Sequence, residues 1–193
     1  MIKKLLFIIF YLAICPQTHG FELIAPGSQW RYYDREPALP KSWYLAEFDD
    51  SQWSMNRAQF GYGEEDENTV TNYGADKDNK YPVQYFRTRF VQLEAPIKSH
   101  LVLRLLVDDG ARVYLNGVKI YQVNLSSAGG ASQFATNSLI EHVWIEVPLE
   151  NVNLIQGENT LAVSVHQLSP TSSDLSFDLA LVNLSVSTDT PAN

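Results

Sequence analysis

Two adjacent aspartates interrupt an apolar stretch near the middle of the chain, in the sequence LLVDDGARVYLNG at residues 105–117. One interpretation is structural: Gly110 supplies an unusual backbone angle, and the side chain of Asp108 or Asp109 bonds the local backbone at a bend or bulge. The other interpretation is chemical, because a carboxylate here can accept a hydrogen bond from a sugar hydroxyl or ligate a cation. Both aspartates are therefore candidate ligand-binding residues.

A sugar-binding site also needs an aromatic ring, because the C–H face of a sugar stacks on a ring while its hydroxyls bond carboxylates. Trp144 is the candidate platform, and Tyr114 and Tyr121 are further aromatic residues in the same half of the chain. The pattern therefore adds Trp144 to the candidate ligand-binding residues.

His166 and Asp174 complete this candidate set. His166 ends a strand-like run, where a lone histidine is either a hydrogen-bonded structural residue or a polar contact for a ligand. Asp174 lies in the loop SPTSSD that follows, where a carboxylate either caps a turn or meets a ligand. The structural alternative for the histidine is a polar network across one sheet face. Its expected members are His166, Arg104, Arg112, Ser164 and Asp178.

A long acidic loop at residues 61–81 contains a candidate metal site. Oxygen donors of this kind are the ligands that Ca²⁺ prefers, and loops of this length in compact domains are usually functional or mobile. The spacing is not that of an EF-hand, because the loop glycine and the final glutamate are missing. A structural Ca²⁺ is one hypothesis and a solvated acidic loop is the other. The candidate ligands are Asp66, Glu67, Asp76 and Asp78.

Composition and charge exclude several classes of function. Acidic residues outnumber basic ones, 22 to 14, and the net charge is −8. Such a surface repels nucleic acid and anionic lipid, so neither is a predicted partner. The sequence contains no GxSxG or HExxH motif, and none of its many carboxylates is marked as a catalytic pair. The prediction is a protein that is not an enzyme.

The N-terminal sequence MIKKLLFIIFYLAICPQTHG predicts a secretory signal peptide. Lys3 and Lys4 precede an apolar run at residues 5–14, and the predicted cleavage follows Gly20. The apolar run is about half of the roughly 20 residues that a membrane-spanning helix needs, so no membrane span is predicted.

The single cysteine, Cys15, lies inside this predicted signal peptide. Thiol catalysis and cysteine-ligated zinc are therefore not expected of the exported chain. A lipid anchor on Cys15 is a weaker alternative, because Ile14 is bulky where a lipobox needs a small residue. The prediction is a secreted or periplasmic protein with a signal peptide at residues 1–20, one domain at 21–186 and a flexible tail at 187–193.

Apolar residues alternate with period two along most of the chain after residue 84, which is typical of β-strands. In LVLRLLV, for example, Leu101, Leu103 and Leu105 share one face while Arg104 lies opposite. Such strands with one solvated face predict antiparallel sheets packed as a β-sandwich, an all-β fold. The other alternating runs are residues 85–90, 111–117, 143–147, 159–167 and 175–184.

Two details of this pattern are specific enough to check. Asn116-Gly117 between two strand-like runs predicts a tight hairpin. In VWIEV, Val143, Ile145 and Val147 are expected to be buried and Trp144 to point outward.

Six sequence blocks together resemble a known fold. In order they are FDDSQW (48–53), FGYGEEDE (60–67), NKYPVQYFRTRF (79–90), LRLLVDDGARVYLNG (103–117), GENTLAVSVHQ (157–167) and SPTSSDLSFDLAL (169–181). This series resembles galactose-binding-like jelly-roll domains, in particular those appended to secreted bacterial hydrolases and phosphoesterases. A weaker likeness, carried by FDDSQW, YFRTRF, VYLNG and GENTLAVSV, reaches the N-terminal sandwich of β-galactosidase-type glycosidases.

The resemblance covers roughly residues 23–184 and implies an eight- or nine-stranded sandwich. Many relatives of that fold hold a structural calcium, which adds to the interpretation of the acidic loop. The fold is usually an accessory module and does not imply a catalyst.

Residues and resemblance together predict a secreted, non-catalytic module that binds carbohydrate or a glycoconjugate through loops at one end of a sandwich. The first alternative is a protein-interaction or assembly module of the cell envelope that uses the same surface against another envelope or secreted protein. The second alternative is a small hydrolase, which would need a pair of carboxylates about 5–10 Å apart in a cleft.

Overall fold

The computed structural model describes residues 18–36, 39–93, 100–127, 130 and 133–186. Within these residues the chain forms twelve β-strands and no helix. The resemblance implied eight or nine strands; the larger number reflects β1 to β5, which are two to seven residues long. The strands are β1 (Thr18–Ile24), β2 (Gln29–Tyr33), β3 (Ser54–Arg57), β4 (Phe60–Tyr62), β5 (Thr69–Val70), β6 (Val83–Gln92), β7 (Leu101–Asp108), β8 (Gly110–Leu115), β9 (Val118–Val123), β10 (Ile145–Leu149), β11 (Gly157–His166) and β12 (Leu175–Val186).

The strands form two six-stranded sheets. The first has the order β10-β7-β12-β4-β5, and β1 also pairs with β12. The second has the order β3-β2-β6-β11-β8-β9. All described pairs are antiparallel except β4 with β5. The predicted all-β, antiparallel β-sandwich is confirmed.

The core lies between the two sheets and consists of the predicted alternating residues. Leu103 and Leu105 of β7, Val163 of β11 and Leu179 of β12 are fully buried. Aromatic rings join the layers: the centroid of Phe177 lies 4.3 Å from that of Phe86. Full burial of a large apolar side chain stabilises the fold by about 1.5–3 kcal/mol, so this interface is the main source of stability.

The sharp hairpin predicted at Asn116-Gly117 is confirmed. Both residues have positive φ, 50° and 80°, and they connect β8 to β9. This is the backbone of a two-residue turn whose twist matches that of the flanking strands.

The prediction that each strand has one solvated face is wrong for the central strands. Arg87 of β6 is 1% exposed, Ser164 of β11 is 3% exposed and Asp178 of β12 is 5% exposed, although all three lie on faces opposite the core residues. The outer face of the second sheet is covered by residues 39–53, whose Trp43 packs its ring 4.8 Å from that of Tyr85.

The predicted burial of Val143 is also wrong. Val143 is 48% exposed, because β10 begins only at Ile145 and Val143 therefore lies outside the sheet. Ile145 and Val147 are half-buried, and Leu149 is the residue of this strand that is buried.

A buried ion pair attaches the covering segment to the sheet. Asp50 is 4% exposed, and its carboxylate accepts from Arg87 Nε at 2.8 Å and from Arg89 Nη1 at 3.0 Å. Arg31 Nε lies 3.5 Å from the same carboxylate. Burial alone would raise the pKa of Asp50, but the hydrogen bonds from Arg87 and Arg89 hold that pKa below its usual value. Arg87 also donates to the backbone oxygen of Trp43, at 2.6 Å.

The first prediction concerns this ion pair. Asp50→Ala should lower the free energy of unfolding by about 3–5 kcal/mol, because it leaves the buried Arg87 guanidinium without its charge partner. Urea unfolding followed by tryptophan fluorescence measures the loss. Asp49→Ala is the matched control, because the neighbouring carboxylate is exposed and accepts only from Ser51 N among its described hydrogen bonds. Equal losses in the two variants would contradict the assignment.

Candidate functional site

Four carboxyl groups, which we call the acidic rim, lie at one end of the sandwich: Glu64, Asp108, Asp109 and Asp174. Asp108 ends β7 and is paired with Ser176 of β12. The Ser176 hydroxyl donates a short hydrogen bond to Glu64 Oε2. The loop after β4, the end of β7 and the connection between β11 and β12 therefore meet here, and three of the five candidate ligand-binding residues lie together.

Asp174 packs directly against the loop that contains Glu64. A Cβ atom on Gly63 would lie 2.9 Å from Asp174 Cβ and 2.8 Å from Ser173 O, and the φ of Gly63 is +102°. Only glycine fits so close an approach at this backbone angle. The Asp174 carboxylate accepts from Ser173 Oγ at 2.7 Å and is partly exposed, so it is available to a ligand.

Asp109 is 5% exposed and connects three segments. Its Oδ2 accepts from Leu168 N at 2.7 Å, and its backbone oxygen accepts from Asn124 Nδ2 at 3.0 Å. Its backbone N–H donates to the carbonyl of His166. Through these hydrogen bonds Asp109 holds in place the segments that support the rim. This agrees with the structural interpretation of the Asp-Asp-Gly segment.

Asp108 differs from its neighbour in its protonation. Burial, the hydrogen bond to Asp109 and the negative charges of Asp109, Asp174 and Glu64 together raise its pKa to about 8, and burial contributes most. At neutral pH this carboxyl group therefore largely keeps its proton. It can donate one hydrogen bond and accept another, whereas an ionised carboxylate only accepts.

His166 lies behind the rim and has no exposed surface. Its Nδ1 donates to Gln133 O at 2.8 Å, so its Nε2 accepts from Ser164 Oγ at 2.9 Å. Burial lowers the pKa of the imidazole to about 4, and the ring is neutral at pH 7. Both ring nitrogens form hydrogen bonds within the protein, so His166 supports the structure behind the rim.

The predicted polar network around His166 is divided between the two sheets. Ser164 and Arg112 are paired residues of β11 and β8 in the second sheet. Arg104 and Asp178 lie in β7 and β12 of the first sheet, where Asp178 accepts from Gly27 N at 2.9 Å. The prediction of a single network is wrong, because β8 and β11 belong to the second sheet and β7 and β12 to the first. Period-two alternation in a sequence does not show which sheet a strand joins.

Trp144 lies beside Arg104, whose guanidinium is 5.5 Å from the indole ring. Arg104 Nε also pairs with Glu146 at 3.0 Å. Two further aromatic residues lie beside the rim: Tyr62, which is 4% exposed, and the half-buried Tyr73, with ring centroids 4.9 Å apart. No feature of the sequence singled out these two tyrosines.

Tyr62 and Gln167 are buried next to the rim, and their side chains lie near each other. Nε2 of Gln167 donates to Tyr81 O at 2.9 Å. Burial, together with the charges of Asp174 and Asp108, raises the pKa of Tyr62 above its usual value. Lys80 Nζ lies 5.4 Å from the centre of the Tyr73 ring.

The predicted calcium ligands do not come together in the described residues. No three of Asp66, Glu67, Asp76 and Asp78 bring carboxylate oxygens within 4.8 Å of one another. Glu67 and Asp76 instead accept from the backbone of their own turns, from Glu64 N and Asp78 N, each at 2.9 Å. The Ca²⁺ hypothesis itself stays a prediction.

A comparison with protein families gives one match that covers most of the chain. The family described as "Beta-galactosidase second all-beta domain" matches residues 40–171. The chain belongs to this family. The likeness to β-galactosidase-type glycosidases is thus confirmed, although the matching family is a second all-beta domain and the resemblance named the N-terminal sandwich. Membership of the galactose-binding-like family stays a prediction. No curated protein matches the sequence.

Solved structures similar to this chain come from bacterial glycosidases. Bacteroides uniformis beta-glucuronidase 2 aligns with a TM-score of 0.56 at 16% identity, over 86% of this chain and 18% of that one. A glycosyl hydrolase family 2 member from Bacteroides cellulosilyticus aligns with a TM-score of 0.55 at 13% identity, over 86% and 20%. An uncultured Clostridium sp. beta-glucuronidase aligns with a TM-score of 0.52 at 15% identity, over 92% and 30%.

At these low identities, the similarity shows only that the chain shares the fold of the matched parts of these structures. The chain spans less than a third of the length of each of these three relatives.

The second prediction concerns Asp108. Its pKa in the folded state lies above that in the unfolded chain, so the stability it contributes is present below about pH 4 and is lost as pH rises towards 8. Asp108→Asn should make the decline of unfolding free energy between pH 5 and 7.5 shallower, by up to about 1.4 kcal/mol per pH unit. Urea unfolding at a series of pH values measures the slope.

Asp178→Asn is the control for this pH series. Burial raises the pKa of Asp178 to about 6, so this variant should change the slope only below about pH 6. A curve for Asp108→Asn that runs parallel to the wild-type curve up to pH 7.5 would contradict the assigned protonation.

Proposed function

We propose that this protein is a non-catalytic module that binds carbohydrate or a glycoconjugate at the acidic rim. The observation that supports this most is the meeting of four carboxyl groups and two tyrosines at one end of the sandwich. Asp174 is partly exposed and makes the direct contact, whereas the side chains of Glu64, Asp108 and Asp109 are almost fully buried and hold the shape.

The chemistry of the rim suits hydroxyl groups. A sugar hydroxyl both donates and accepts hydrogen bonds, and the partly exposed carboxylate of Asp174 is an acceptor for it. The Tyr73 ring adds a half-buried apolar surface for a C–H face. Because the surrounding charges are negative, a neutral or amino sugar fits the rim and a uronic acid or sulfated sugar is repelled.

The family supports the carbohydrate class without fixing the ligand. The similar solved structures are beta-glucuronidases and a glycosyl hydrolase family 2 member, and this chain matches only part of each. A role in carbohydrate recognition is the part of their chemistry that we extend to this chain.

Hydrolysis is less well supported than binding. A glycosidase places two carboxylates on either side of the scissile bond. Asp108 and Asp109 are chain neighbours that hydrogen-bond to each other, and Asp109 Oδ2 is occupied by Leu168 N. Cavities of about 540 and 440 Å³ lie beside Trp30 and beside Val118.

Secretion or a periplasmic location completes the proposal. Most of the predicted signal peptide, including Cys15, lies outside the described residues, as does the tail at 187–193. Cleavage after Gly20 would remove residues 18–20 of β1 and leave the part of the strand that begins with Phe21, which pairs with Asn183. None of the described residues forms a helix that could cross a membrane.

Assembly with another protein is a second candidate, and an apolar patch favours it. Val91, Leu93, Val118 and Ile155 are 52–81% exposed. They lie where β6 ends and β11 begins, at the end of the second sheet opposite the acidic rim. A wild-type protein that binds no glycan would favour this candidate over carbohydrate recognition.

The third prediction tests the rim as a sugar site. The full chain is screened on an array of neutral, amino, uronic and sulfated glycans, and the tightest ligand is then titrated calorimetrically. We expect a neutral or amino sugar, and Asp174→Asn should weaken its binding by about tenfold or more, because a hydrogen bond to a charged group contributes about 1.5–3 kcal/mol.

Glu150→Gln is the matched control, since it also removes one exposed carboxylate but lies beside the Val118 cavity. Equal affinity of the two variants, or a preference for uronic acids, would contradict the proposed site. Release of a shorter sugar during incubation would contradict the non-catalytic assignment.

A further inference from the structure

One side-chain cluster beside the acidic rim has the donor set of a metal site. One atom each of Glu64, Glu141 and His142 lies within 4.8 Å of the others. Glu64 belongs to the loop after β4, while Glu141 and His142 belong to the segment that precedes β10. Residues far apart in sequence thus bring two carboxylates and one imidazole together.

We propose that Glu64, Glu141 and His142 bind a divalent transition-metal ion of the Zn²⁺ class. The ion would lie between the loop after β4 and the segment before β10, and it would join the two.

The spacing of the donor atoms fits shared coordination better than direct hydrogen bonding. His142 Nε2 lies 3.4 Å from Glu64 Oε1. Two ligands bound about 2.0–2.1 Å from one tetrahedral ion lie about 3.3–3.4 Å apart, whereas a charge-assisted N–H···O hydrogen bond is about 2.7–2.9 Å long. The observed separation therefore leaves room for an ion that binds both atoms.

Two of the three ligands have a second contact. The other imidazole nitrogen, His142 Nδ1, lies 3.4 Å from Asp66 Oδ2, and Gln59 Nε2 donates to Asp66 Oδ1 at 3.1 Å. Asp66 thus lies on the side of the ring away from Glu64, where metal-ligating histidines commonly have a carboxylate partner. Glu64 has a side chain only 8% exposed and uses Oε2 to accept from Ser176, which leaves Oε1 facing His142.

The local charge favours a cation, and the histidine selects its class. Glu64 and Glu141 are accompanied by the rim carboxyls Asp108, Asp109 and Asp174, so a divalent ion relieves repulsion that the protein otherwise contains. Imidazole nitrogen suits Zn²⁺, Ni²⁺ and Cu²⁺, whereas Ca²⁺ prefers oxygen alone. This site therefore differs in residues and in metal from the calcium site that the sequence predicted in the same loop.

The test uses the full chain after chelator treatment, titrated with ZnCl₂ by calorimetry, with CoCl₂ as a spectroscopic probe. We expect one Zn²⁺ per chain, a visible absorption band on Co²⁺ addition and a higher melting temperature with Zn²⁺. His142→Ala should weaken Zn²⁺ binding by more than about tenfold, and Asp66→Asn by about tenfold through the loss of ring orientation. His100→Ala is the matched control, because His100 is also exposed but precedes β7 at the other end of that strand.

Three results would overturn the proposal: Zn²⁺ affinity unchanged in His142→Ala, an equal loss in His100→Ala, or tighter binding of Ca²⁺ than of Zn²⁺. A wild-type melting temperature that Zn²⁺ does not change would also overturn it. His142 would then only contact Glu64 and Asp66. The proposal does not depend on sugar binding, because His142→Ala leaves Asp108, Asp109 and Asp174 in place.

Discussion

The buried pair between Asp50 and Arg87 is the interaction on which the architecture of the second sheet depends. Arg87 projects from the centre of β6, away from the core, and a guanidinium there would ordinarily face water. Residues 39–53 cover it, and they supply both a carboxylate and the carbonyl of Trp43. Residues 39–53 therefore cover the sheet and supply the partners of Arg87 at the same time. Removing this segment would expose the outer face of the sheet and leave the Arg87 guanidinium without its charge partner.

This cover also determines where a ligand can bind. Trp43, Trp53 and Tyr85 occupy the outer face of the second sheet, and the inner face forms the core. A broad sheet face is thus not open to a ligand at this position. Partly exposed polar groups with buried polar neighbours occur instead at the strand ends, as at Asp174 beside Asp108.

Much of the core could be predicted from the sequence, because alternation in β7, β11 and β12 is regular and long. The strands before residue 71 were missed because they are short; β4, for example, has three residues and all are buried, so it shows no alternation. The burial of the opposite faces was missed for a physical reason. Arg87, Ser164 and His166 are polar, and sequence alone does not reveal that each finds a partner from a distant segment.

The candidate site could be predicted only in part for the same reason. Asp108 and Asp109 lie at the end of β7 and Asp174 directly precedes β12, so their grouping agrees with the antiparallel pairing of these strands. Glu64 joins them through Ser176, which is 112 residues away in the chain, and no local pattern encodes such a contact. The imidazole of His166 is engaged by Gln133 and Ser164, so this residue lies behind the rim. Trp144 is half-buried beside Arg104, and its role as a platform stays a prediction.

The length of β11 has a consequence for how the two ends of the molecule can be used. The strand runs from Gly157, beside the apolar patch, to His166, behind the acidic rim. Ten residues of extended chain span about 30 Å, so occupants of the two ends would not compete for space. A molecule built in this way can act as a rigid spacer, which holds whatever it contacts at one pole at a fixed separation from whatever it contacts at the other.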